Sequence, residues 1–370
     1  MPANAQLSIL IPVRTEQPDF VLKRLKLRDG CDFGGVEVVL TDDGSGEAAA
    51  RHLHEFCQAR EWTYQRLETG AAPFSLARAR NAGLDQADTR WVFFDDADMA
   101  YGSRFFQSLQ AELKLLDQTP FNFVSFPAAY LSSSVSEEVM AQGTIDPSLP
   151  RLLTHAMLED PRGGENNRVI DSFSPASAIL AMAKSTALAA GGYDERFEGW
   201  GGEDRDFIFR LLAANKALPR PAEFEATRMT NLNDTHNFAG WRSLFRLHGD
   251  YMARKGFYAF HLYHDAKTWR SKEGQTRNFQ MAASNALSFQ DRDREQFVEG
   301  QSHLALRRSL IFSTYADSFE GIPAQSRKSS GNVSARYRKL LRDPHAFFRD
   351  ARSPILRALR HCFPERHNQL

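Results

Sequence analysis

The chain has 370 residues, 42% hydrophobic and 25% charged, with 46 Lys and Arg against 46 Asp and Glu. That composition excludes a low-complexity chain and offers a nucleic-acid polymer no global field. The three cysteines, Cys31, Cys57 and Cys362, lack metal-ligand spacing and fit a reducing compartment, and no uncharged apolar run approaches the ~18–20 residues of a membrane span.

The first 130 residues alternate strand and helix patterns. Leu7 to Ile11 is a short apolar run ended by Pro12, better read as a strand than as a signal peptide in the absence of a basic leader. A helical stretch follows to about Arg28. Val36 to Leu40 is a second strand and ends at Thr41-Asp42-Asp43-Gly44-Ser45. Helix over Glu47 to Arg60, strand over Trp62 to Leu67 and helix over Ser75 to Gln86 come next. Arg90 to Phe94 is a fourth strand and runs into Asp95-Asp96-Ala97-Asp98. Phe121 to Phe126 is a further strand. Such alternation predicts an α/β fold, a mostly parallel sheet with helices on both faces, whose ligands bind beyond the carboxyl ends of the strands.

Residues 131–175 are polar and irregular, with Ser132-Ser133-Ser134 and Pro161-Arg162-Gly163-Gly164, and are expected to form an insertion or loop over the site. Order returns with a strand at Ala178 to Ala183 and a helix at Glu203 to Ala214, completing a domain over 1–240. That domain divides into a nucleotide-binding half (1–130), the insertion, and an acceptor and catalytic half (176–240). A mainly helical extension follows over 241–333. The tail 334–370 carries nine Arg or Lys against three Asp or Glu, with Phe347, Phe348, Ile355, Leu356, Leu359 and Phe363 between them.

Two acidic clusters carry the chemistry. Carboxylates at the end of a strand as apolar as Trp91-Val92-Phe93-Phe94 are hard oxygen ligands in a fixed place, suited to Mg²⁺ or Mn²⁺ and, through the ion, to a phosphate. The same residues also suit a helix N-cap. Asp42 and Asp43 could accept hydrogen bonds from a nucleoside or simply form a turn with Gly44. Arg78 and Arg80 on the preceding helix can pair with phosphate, and Asn81 can hold a base or an acid, unless they form a solvated face. The stretch Gly191 to Asp204 is denser in chemistry. Trp200 offers a flat face to a sugar ring, Gly201 and Gly202 let backbone come close to a ligand or take φ > 0, and Glu203 and Asp204 begin a helix that favours negative charge. A carboxylate kept ionised there can take a proton from a hydroxyl. His236 is a possible third metal ligand or a plain surface residue.

These residues resemble a known family. Ile9-Leu10-Ile11-Pro12, Thr41 to Ser45, Ala79-Arg80-Asn81-Ala82-Gly83 and Phe94 to Asp98 resemble the GT-A glycosyltransferases of the large inverting family 2. Gly191 to Asp206 looks like the signature of β-1,4-galactosyltransferases, also found in bacterial chondroitin-type polymerases and N-acetylgalactosaminyltransferases. The resemblance covers roughly residues 5–240. It implies a GT-A fold that transfers a hexose or N-acetylhexosamine from a UDP-sugar to a glycan or lipid-linked saccharide, in the synthesis of a capsular or other surface polysaccharide. It implies Pro12, Asp42, Asp43, Arg78, Arg80, Asn81, Asp95 and Asp96 around the nucleotide-sugar, and Asp96, Asp98 and His236 on Mn²⁺ or Mg²⁺. Asp204 would be the base, Glu203 a sugar contact, and Trp200, Gly201 and Gly202 the acceptor subsite. Two departures stand out: Arg205 follows where the family often has another acid, and the first cluster ends Asp98-Met99.

Two other readings compete. A sugar nucleotidyltransferase would want a Gly-rich loop after the first strand, and Pro12 to Glu16 has no glycine. A non-catalytic glycan-binding scaffold would tolerate substitution at Asp96 and Asp98. The expected location is the cytoplasm, with contact to the inner face of the plasma membrane if the basic tail lies on anionic lipid rather than on the protein body.

Overall fold

A computed structural model describes residues 6–116, 123–151, 153, 170–215, 224–225, 240–265 and 271–293. The expectations for His236 and the tail 334–370 fall outside them. All of these residues belong to one compact unit, Met1–Tyr315.

The main sheet is built from β1 (Leu7–Val13), β2 (Val36–Asp42), β3 (Thr63–Arg66), β4 (Trp91–Phe94), β6 (Phe123–Ser125) and β9 (Leu180–Ala183). Their order is β3-β2-β1-β4-β9-β6. β3, β2, β1 and β4 run parallel, and β9 is antiparallel to both β4 and β6. The α/β class and the mostly parallel sheet expected from the alternation are what the molecule has. All seven residues of β1 are buried, as a strand covered on both faces requires. Its side chains divide by parity. Leu7, Ile9, Ile11 and Val13 pack with α1 (Pro18–Leu25), α2 (Glu47–Gln58) and α4 (Phe105–Leu116). Leu10 joins Val39, Val92 and Phe94 against α3 (Leu76–Gln86), α7 (Glu203–Ala214) and α8 (Trp241–Arg254).

The registers Leu10↔Phe94 and Val13↔Asp42 set the carboxyl ends of β1, β2 and β4 side by side. Both sequence clusters that follow β2 and β4 therefore open at one edge of the sheet. Pro12 does not end β1 as expected but pairs in register with Thr41.

A second sheet has the order β5-β10-β7-β8, from β5 (Met99–Ala100), β10 (Ala259–His261), β7 (Ala128–Leu131) and β8 (Ile170–Ser174). Here the structure departs from the sequence reading. The expected loop contains the helix α5 (Ser133–Gln142) and the strand β8. The serine run is that helix's start: Ser132 Oγ accepts from the Val135 amide, and Gly143 closes the other end at φ 73°. Beyond residue 240 the chain stays within the same body. β10 pairs with β5 and β7, α8 packs on β6 and α7, and α9 (Lys272–Asp293) packs on α7. The short helix α6 (Lys184–Ala189) leads from β9 into the glycine-rich stretch. Among the described residues no helix is long and apolar enough to cross a membrane.

Candidate active site

The acids at the end of β4 do different work. Asp95 is fully buried. Arg28 donates to its Oδ2 through Nη2 at 2.6 Å and Nε at 3.2 Å, and the Tyr101 hydroxyl donates to Oδ1. Arg28 also donates to the Asp96 carbonyl at 2.7 Å. Asp95 thus ties the turn inward, a buried pair where the sequence suggested a nucleotide contact. Asp96 accepts from Arg80 Nη2 at 2.9 Å.

Asp42 and Asp43 are likewise buried and bonded. Asp42 accepts from the Ser45 amide at 2.8 Å and the Tyr64 hydroxyl at 2.7 Å. Asp43 takes a fork from Arg78, Nε at 2.7 Å and Nη2 at 2.8 Å, and the Ser75 amide at 2.9 Å. Arg78 is therefore spent on joining β2 to α3. Ser75 caps α3, its Oγ accepting from the Arg78 amide at 3.2 Å while donating to the Phe197 carbonyl at 2.9 Å. Asn81 faces the glycine-rich stretch. It donates to the Tyr193 carbonyl and accepts from the Tyr193 amide, each at 2.8 Å. A Cβ on Gly192 would stand 2.8 Å from Asn81 Oδ1, which explains that glycine.

The turn before α7 is held from behind. Gly201 and Gly202 have φ of 87° and 98°, a region that favours glycine. A Cβ on Gly201 would lie 3.2 Å from the Phe279 ring, and one on Gly202 2.9 Å from the Asn278 carbonyl. The space their missing side chains leave is taken largely by α9. Asn278 donates to the Glu198 carbonyl at 2.8 Å. Sequence reasoning gave α9 no role here.

Arg80 joins the two clusters. It is 1% exposed, bonds Asp96 as above, and reaches Glu203 Oε1 through Nη1 at 3.3 Å. Asp96, Glu203 and Asp204 all act on this one guanidinium. Burial, then the charge of Asp204, push the Glu203 carboxyl up to about 7, with Arg80 opposing. The Asp204 carboxylate accepts from the Arg205 amide at 2.8 Å.

Two clefts meet at this point. One, of about 420 Å³, is lined by Pro12, Arg14, Arg24, Asp98, His261 and His264, among others. The next, of about 330 Å³, is lined by Arg80, Gly201, Glu203 and Asp204, among others. Asp96 and Trp200 line both. Asp42, Asp43, Arg78, Asn81 and Asp95 line neither. Arg14 and Arg24, unnoticed in the sequence, donate to the carbonyls of Ala72 at 2.8 Å and Tyr263 at 3.0 Å.

The first cleft holds a metal-compatible group. One ligand atom each from Asp98, His261 and His264 lies within 4.8 Å of the others. His264 Nε2 is 3.0 Å and His261 Nε2 3.6 Å from Asp98 Oδ2. His264 Nδ1 is 2.8 Å from the Asp265 carbonyl. With Nδ1–H donating to that carbonyl, the Nε2 of a neutral ring is turned toward Asp98, where the two can share a cation; an imidazole anchored by a carbonyl is the usual arrangement of a metal-binding histidine. The sequence reading chose His236 and passed over the spacing His261-Leu262-Tyr263-His264. Of the expected pair Asp96 and Asp98, Asp98 belongs to this group and Asp96 belongs to Arg80.

Comparison with known proteins gives consistent matches. The family described as "Glycosyltransferase like family 2" matches residues 8–285. The chondroitin synthase of Escherichia coli is 26% identical over 225 residues, 55% of this chain and 32% of that protein. The hyaluronan synthase of Pasteurella multocida is 29% identical over 194 residues, 48% of this chain and 19% of that protein. These matches thus span a third or less of the relatives' own length. The crystal structure of GalNAc-T7 with UDP, GalNAc and Mn²⁺ aligns at a TM-score of 0.45 and 13% identity, covering 87% of this chain and 57% of that one.

Proposed function

This chain belongs to the glycosyltransferase-like family 2, the match covering residues 8–285, and from that premise we propose that it moves a hexose or N-acetylhexosamine from a UDP-sugar to a glycan hydroxyl, inverting the anomeric centre. The chain is a glycosyltransferase by its family, and the naming of relatives as chondroitin and hyaluronan synthases supports a polysaccharide acceptor.

The donor occupies the first cleft. Asp98, His261 and His264 hold a divalent cation, and the two imidazoles favour Mn²⁺ over Mg²⁺. When bound, the ion neutralises charge on the diphosphate. Arg14 and Arg24 lie on the same wall to receive phosphate oxygens. Trp200, common to both clefts, gives a flat floor to the sugars that meet there.

The acceptor enters the second cleft. Asp204 takes the proton of its hydroxyl, the oxygen bonds to the anomeric carbon, and the bond from that carbon to the diphosphate breaks with its electron pair leaving on UDP. Glu203 is less suited to be the base, because it is buried against Arg80. It serves to position the acid beside it.

The bridge of Arg80 between Asp96 and Glu203 is the observation that carries this reading. It fixes the donor-side and acceptor-side acids to one charge, so sugar and nucleophile are brought to one place. The Asp204→Asn variant is the test. It should keep UDP affinity in calorimetry and lose sugar transfer by roughly 10²–10⁴-fold. Transfer at the wild-type rate would remove Asp204 as base.

A further inference from the structure

A third cavity, of about 310 Å³, opens beyond the second cleft and is used by no step above. Its size falls at the lower end of ligand sites, ~300–1,000 Å³. Arg205, Trp241, Arg242, Gln275 and Phe279 line both spaces, so the two are adjacent.

Its wall concentrates positive charge. The Arg205 guanidinium sits over the Phe279 ring, 4.0 Å from the centroid, a stacking that steadies its donor fork. Arg242 is 9% exposed and is the second residue of α8, at the positive end of the helix dipole. Burial and then the nearby Arg205 bring its pKa down to about 10, with Asp204 opposing. Arg205 and Arg242 thus bring two guanidinium groups and a helix N-terminus to one cavity lining. Trp241 and Phe279 add aromatic surface to the same lining.

We propose that this cavity is an acceptor subsite in which Arg205 and Arg242 hold the oxyanion, carboxylate or phosphate, of an acidic saccharide one position away from the hydroxyl being glycosylated. The inference rests on reading the second cleft as the acceptor cleft. Guanidinium groups suit it because their forks match carboxylate and phosphate oxygens two at a time.

Calorimetry with three oligosaccharides tests it: one ending in a uronic acid, its carboxyl-reduced twin, and a phosphate-bearing twin. The wild-type protein should bind the charged saccharides about 10- to 100-fold more tightly than the neutral one. The tighter of the two charged forms identifies the anion. Arg205→Gln and Arg242→Gln should each cut that preference about tenfold while UDP affinity stays unchanged. Arg205 is the more exposed of the two, so its variant keeps the test open should Arg242→Gln fail to fold. Equal affinity for charged and neutral forms, or a preference surviving both variants, overturns the proposal. A charge preference in binding with no sugar transfer would instead overturn the transferase reading of the second cleft and leave the anion subsite standing.

Discussion

Glu203 shows how a single residue records its surroundings. Its carboxyl normally titrates at 4.5 and is pushed up to about 7 by burial and by Asp204. The folded protein therefore keeps a proton there over a range in which the unfolded chain has lost it. By linkage, the stability this group contributes is complete below 4.5 and is lost as pH rises through about 7. Urea midpoints at about pH 5 and about pH 8 should differ more for the wild type than for Glu203→Gln, which keeps the neutral form at both. A variant as pH-sensitive as the wild type would exclude Glu203 as the source. At this scale the sequence was legible in part. Asp96, Asp98, Trp200, Glu203 and Asp204 line the clefts, as their types suggested. Asp43 and Arg78 were singled out separately, one for the nucleoside and one for phosphate. Each is instead the other's partner, and nothing in a linear string tells that an opposite charge 35 positions away will consume it.

Among the elements, α7 was read within its observed bounds, because a glycine turn, three acids in the first turn and a buried apolar face all agree. β10 was not seen. Three residues, Ala259–His261, leave too short a pattern to tell a strand from a helix. The glycines before α7 were expected to allow ligand approach or a positive φ; both take a positive φ, and their other side is occupied by α9. This gives Gly202→Ala a definite outcome. The new Cβ would meet the Asn278 carbonyl and the Phe197 ring, each at 2.9 Å, at a φ of 98°. Strain of this kind costs about 1–3 kcal/mol before the clash is added. A lowered urea midpoint together with lost transfer is expected, since the start of α7 carries both acids. Unchanged stability would show that α9 does not press on the turn.

For the molecule as a whole, the sheet explains why the site lies where it does. The α/β class and the mostly parallel sheet were legible because alternating strand and helix patterns leave few ways to build a covered parallel sheet, whereas the strand order and the antiparallel β9 were not. Convergence at the carboxyl ends of the strands follows from that architecture. The metal group was not legible, because His261 and His264 arrive from the second sheet, some 160 residues after Asp98. Its test is global. Mn²⁺ that binds the folded protein and not the unfolded chain should raise the thermal midpoint progressively, with the logarithm of its concentration above Kd. Chelator should reverse the rise, and His264→Ala or Asp98→Ala should abolish it. A midpoint indifferent to Mn²⁺ in the wild type would remove the ion from this site.

The helix α9 also sets a boundary for anyone shortening this chain. Residue 240 looks like a natural place to cut, since every residue of the second acidic motif lies before it. A fragment ending there would retain Asp204 and lose the brace beneath it: Asn278 no longer tethering Glu198, the Phe279 ring gone from beside Gly201, and His261 and His264 absent from beside Asp98. A working piece therefore extends at least through Phe279, because the acidic motif is held in place by residues far from it in the chain.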